Sequence, residues 1–76
     1  MQHLNYRVIL RPEAEGGFTV TVPALPGCVT WGASLEEASR MAEDAIQAYL
    51  ASVAKHGDAI EDDSNTFERQ VSVHYA

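Results

Sequence analysis

An α+β fold in the order β-β-β-α-β is predicted by three observations. Apolar residues alternate with polar ones before Gly32, a capped 3.6-residue period follows, and alternation returns near the end. From Leu4 to Arg11, residues Leu4, Tyr6, Val8 and Leu10 share one face and Asn5, Arg7 and Arg11 the other, as in a half-buried strand. Ile9 breaks the alternation, which implies that the second face is also partly covered by another sheet or subunit. Pro12 ends this strand, and Glu13-Ala14-Glu15-Gly16-Gly17 turns the chain. Phe18, Val20 and Val22 then alternate with Thr19 and Thr21 in a second strand. Pro26 sets φ near −65° and Gly27 accepts the positive φ that a type II turn needs at its third residue. The run Cys28 to Trp31 therefore doubles back, and closely joined strands of this kind form an antiparallel meander.

The helix is signalled at both ends. Ser34 is placed to accept a first-turn N–H, and Glu37, three residues on, is placed to reach back to the cap's own N–H, a capping box. Glu36 and Glu37 lie where the helix dipole favours carboxylates. The apolar stripe runs through Leu35, Ala38, Met41, Ala42, Ala45, Tyr49 and Val53, widened by Ile46 and Leu50, with charged residues opposite. Gly57 stands at the expected C′ position, so the helix is expected over about Leu35 to His56. Asp58 to Thr66 has no period, and its acidic side chains predict a solvated loop, with Ile60 tacking it down. Val71, Val73 and Tyr75 alternate with Gln70, Ser72 and His74, which predicts a fourth strand over Arg69 to Tyr75. Residues 1–76 read as a single domain with one long helix packed on the sheet.

Composition narrows the function. Hydrophobic residues make up 46% and charged residues 21% of the 76-residue chain, a globular balance. A chain this short buries only about 60% of the surface its unfolded form exposes, so self-association would help it. Net charge is −6 and the pI about 4.7, which removes the basic footprint of a phosphate binder and suits a basic protein partner. One cysteine rules out an internal disulfide framework and fits a reducing compartment. No signal peptide or lipid-spanning run is visible, so a cytoplasmic protein with no membrane association is expected.

Reactive groups are scattered. His3, His56 and His74 lack metal-ligand spacing, and His56 favours the helix C-terminus electrostatically. His74 lies on the polar side of a strand, and Cys28 has no histidine beside it, so it reads as a small buried hydrophobe. No Asp or Glu falls in a strand interior, which argues against a metal-dependent nuclease. No catalytic residue, metal or cofactor is expected. Glu36, Glu43, Asp44, Glu61, Asp62 and Asp63 are candidates for an electrostatic docking face, and Trp31 is either a core plug or an interface anchor.

Taken together, Leu25-Pro26-Gly27-Cys28-Val29-Thr30-Trp31-Gly32 and Ser34-Leu35-Glu36-Glu37-Ala38 resemble the HicB antitoxin family, as do Tyr6, Gly16-Gly17-Phe18 and Gly57. The resemblance covers roughly residues 4 to 60. It implies a degraded ribonuclease H-like fold without catalysis, which binds and silences a small basic HicA-like mRNA-cleaving ribonuclease toxin. The short strands, unpaired sheet edges and limited core predict a homo-oligomer, dimer or tetramer. Many members carry a C-terminal operator-binding domain, and no independent DNA binding is expected from a chain that stops at Ala76. Ala33 stands where the family often has Asp, and Glu61 where a proline is frequent. An oligomeric module that keeps the fold without a toxin is the alternative reading.

Overall fold

The computed structural model describes residues 3–75. Strands β1 (Ile9–Pro12), β2 (Phe18–Thr21) and β3 (Val29–Gly32) form an antiparallel sheet in the order β1-β2-β3, followed by helix α1 (Leu35–Lys55). The α+β expectation and the meander hold. The register sets Leu10, Val20 and Thr30 side by side on one face, and Ile9, Thr21 and Val29 in a row on the other.

The turn residues act as their chemistry dictates. The Cys28 N–H donates to the Leu25 carbonyl at 2.9 Å across Pro26-Gly27, with Gly27 at φ 83°, which is the type II arrangement. Ser34 caps α1, its hydroxyl accepting the Glu37 N–H at 3.1 Å. The return bond differs from a standard capping box. Glu37 Oε1 accepts the N–H of Ala33, one residue before the cap, at 2.8 Å. At the other end the Gly57 N–H donates to Ala54 and His56 Nδ1 lies 2.7 Å from the Ser52 carbonyl, which satisfies carbonyls the helix leaves open.

The core lies between the sheet and α1. Val20, Ala38 and Ala42 are buried together, with Val8, Leu10 and Phe18 packed against them. Val22, Leu25 and Cys28 form a second cluster with Tyr6, Ile46 and Tyr49. α1 rests on β3 and β2, close enough that Gly32, Ala38 and Ala42 are all buried. Leu35 and Met41, expected on the buried stripe, are exposed, because the small alanines alone fill the line of closest approach.

Two expectations are corrected. Strand β1 starts at Ile9 and not at Leu4, because the backbone ahead of it pairs with acceptors of the 58–66 loop and not with a strand. The Asn5 N–H donates to Asp62 Oδ1 at 2.7 Å, the Arg7 N–H to Asp63 Oδ2 at 3.1 Å, and the Asp63 N–H to the Asn5 carbonyl at 2.9 Å. Buried or half-buried backbone groups need partners, and these carboxylates supply them. Secondly, Arg69 to Tyr75 forms no strand within the described residues. A strand exists only where a neighbour takes up its N–H and C=O groups, and although Arg69 and Gln70 come beside Ile9, no ladder forms there among the described residues.

Candidate functional site

The sheet has one covered face and one open face. On the open face, Ile9 and Val29 flank Thr21, and Thr19 lies between Arg11 and Trp31 in the next row. Ile9 is 42% exposed, Val29 58% and Trp31 49%. Three large apolar side chains on a four-residue-deep surface form a patch of the kind that marks an interaction site. The core-plug alternative for Trp31 is thereby set aside. Its indole lies against the hairpin, since a Cβ added at Gly17 would stand 2.2 Å from its Cζ2. Gly17, at φ 77°, thus serves both the turn and the seat of the ring.

The other candidates sit elsewhere. Glu36, Glu43 and Asp44 are exposed on α1, on the far side of the sheet from Trp31. Glu61, Asp62 and Asp63 gather beside the N-terminal segment, where the Glu61 carbonyl accepts from the Tyr6 hydroxyl. The structure therefore does not bring the seven residues onto one face. Asp63 was expected on a solvated surface, yet it is buried, with its carboxylate 3.0 Å from Arg7 Nε. Its role is to clamp the loop to the chain's start, and Ile60, 41% exposed, does not do the tacking. Thr66's side chain, then the Arg7 N–H and guanidinium, hold the Asp63 carboxyl below the usual carboxylate range. The Ser64 side chain and the Asn5 N–H do the same for Asp62.

Cys28 is buried beside Val22 and Leu25, and burial pushes its thiol up, which keeps it protonated and unreactive. Among the described residues no three His, Cys, Asp or Glu side chains are placed to hold a metal ion, and no helix is long and apolar enough to cross a membrane. A groove of about 570 Å³ runs between α1 and the segment leading into β1, lined by Leu4, Tyr6, Val8, Ala42, Ile46 and Leu50 among others. The sequence pointed to the open face through Ile9, the residue out of step with its strand, and through Trp31 as a candidate anchor. Val29 was missed, although it stands two residues from Trp31 and so shares its face.

Comparison with known proteins agrees with this architecture. The family described as HicB_like antitoxin of bacterial toxin-antitoxin system matches residues 6–76. A UPF0150 protein of Thermoplasma acidophilum is 38% identical over 71 residues, covering 93% of this chain and 99% of its own. A UPF0150 protein of Synechocystis is 39% identical over 56 residues, 72% of this chain and 71% of that one. Antitoxin HicB 1 of Photorhabdus laumondii is 41% identical over 46 residues, 60% of this chain and 30% of the antitoxin. With the Pro-Gly turn, the capped helix and the meander in place, the chain belongs to the HicB-like antitoxin family.

Proposed function

We propose that this chain is a non-enzymatic antitoxin that binds a basic, HicA-like mRNA-cleaving ribonuclease and silences it, and that it works as a homo-oligomer in the cytoplasm. The observation that carries the reading is the open apolar sheet face around Trp31 on a chain of the HicB-like antitoxin family. A half-exposed tryptophan beside Thr19 and Val29 has the make-up of an interface anchor, which gains its energy when a partner excludes water around it. The net charge of −6 speeds encounter with a basic partner, and the acids on α1 contribute to the field without having to touch it. The scattered placement of Cys28, His56 and His74 supports the non-enzymatic reading.

The test is a binding and cleavage assay with a HicA-like ribonuclease encoded beside this chain. The wild type is expected to suppress RNA cleavage at equimolar ratio. Trp31→Ala is expected to weaken binding roughly 30-fold or more, the effect of losing about 2 kcal/mol at a hot spot. Raising the salt concentration should slow association while leaving that Trp31 effect in place. Binding that is unchanged in Trp31→Ala would move the contact off this face, and failure to inhibit any such ribonuclease would remove the antitoxin reading.

A further inference from the structure

The segment after the clamp is built like a strand without a sheet. Phe67 is 92% exposed, Val71 75%, Val73 82% and Tyr75 96%. Large apolar side chains on alternate positions cost free energy in water, and the alternation leaves every second side chain polar, as on a sheet with one covered face. The root of the segment is fixed. Asp63 is tied to Arg7, and Arg7 Nη1 lies 3.8 Å from Glu68 Oε1. Arg69 and Gln70 still line a shallow pocket with Arg7 and Ile9, and from Val71 on the side chains are open to water; the radius of gyration is 14.5 Å against about 11 Å for a compact chain of this length.

The same molecule presents the complementary surface. Among the described residues β1 pairs with β2 alone and no strand is hydrogen-bonded to its other edge. α1 packs on β2 and β3, and the groove between α1 and the segment that leads into β1, with Leu4, Tyr6, Val8, Ile46 and Leu50 in its lining, is left uncovered. Pro12 has no N–H to give a ladder, so pairing on this edge is confined to the part of β1 before it, Ile9–Arg11. We infer that Phe67–Tyr75 forms the fourth strand on the β1 edge of a second copy of this chain, with Val71, Val73 and Tyr75 over the groove, and that the exchange is reciprocal.

Charge and area both select a second copy as the occupant. Glu68 and Arg69 cancel, so the arm is neutral apart from His74, whereas the chain as a whole carries −6. A basic protein gains nothing electrostatic from such an arm, and an acidic copy is not repelled by it. The two aromatic rings alone carry roughly 300–500 Å² of surface each time an arm is covered. Two arms and the surfaces they cover then remove on the order of 1,200–2,000 Å² from water, the size of a stable specific interface. The two-fold exchange also gives each copy the strand that its own sequence pattern calls for and its own sheet does not hold.

This inference rests on the self-association part of the proposed function and is independent of the toxin. The test is sedimentation of the full chain at micromolar concentration, compared with Val71→Lys/Val73→Lys. Both valines are exposed in the single chain, so the variant should keep its helical circular dichroism. The wild type is expected to sediment as a dimer or a multiple of it and the variant as a monomer. A second measurement locates the arm on the partner copy. Isotope-labelled wild-type chain is mixed with unlabelled Cys28→Ser/Ser72→Cys chain carrying a spin label, and broadening of the labelled Ile9, Leu10 and Arg11 amides is expected. A monomeric wild type overturns both self-association and the arm's role. An oligomer that survives the lysines, or amides that stay sharp in the mixture, overturns the arm's role alone.

Discussion

Gly32→Val is expected to destabilise the chain by roughly 3 kcal/mol or more, at or beyond the upper end of ordinary overpacking costs. A Cβ built at Gly32 stands 2.4 Å from both Cα and N of Ala38 and 2.9 Å from its Cβ. These are backbone atoms of a helix that is itself held by the Ser34 cap and by the Ala38 N–H donating to Ser34 O at 2.8 Å. No rotamer change relieves the contact, so α1 must lift off β3, the strand it packs on most extensively. A domain of this size has a total stability of about 4–11 kcal/mol. The melting temperature should therefore drop by on the order of 10–20 °C, read by circular dichroism at 222 nm. A variant within about 1 kcal/mol of wild type in urea would mean that the helix and β3 do not approach as closely as described.

Asp63→Asn is expected to release the 58–66 loop from the start of the chain. Asp63 Oδ2 takes hydrogen bonds from both the backbone N–H and the guanidinium of Arg7, and a neutral amide cannot pair with that charge. Amide exchange at Arg7 and Asn5 should become fast, whereas the amides of α1 keep their protection. The pH dependence has a definite sign. The carboxyls of Asp62 and Asp63 are held below their ordinary value by hydrogen bonds, so the unfolded chain takes up protons first as the pH falls. Their contribution is complete above the unfolded value near 4 and is lost as the pH drops through the lower folded values. The wild type should lose stability across that acid window, and Asp63→Asn should start lower at neutral pH and fall less steeply. Parallel curves for the two proteins would show that Asp63 carries no linked stability.

Local chemistry made most of the fold legible. Pro26-Gly27 and Ser34 are decided by residues within four positions of one another, and the turn and cap form as their side chains require. The long-range features were not legible in the same way. Asp63 looks like one more acid in a polar loop, and only the fold brings it to Arg7, 56 positions away. Arg69 to Tyr75 has the period of a strand, but period does not name a partner, and among the described residues of one chain no strand pairs with it. The open face was half visible. Ile9 announced a second apolar surface, and the register that sets it in a row with Val29 exists only once three strands have paired.

The seat of the indole gives the molecule an optical property of its own. Trp31 is the sole tryptophan, so the emission above 320 nm excited at 295 nm arises from one ring lying on the hairpin and half open to water. A protein that settles on that sheet face strips water from the ring and moves its emission to shorter wavelength, whereas an arm adding to the β1 edge leaves it where it was. A single fluorescence titration, needing no label and no substitution, thus distinguishes which of the two surfaces a ligand occupies.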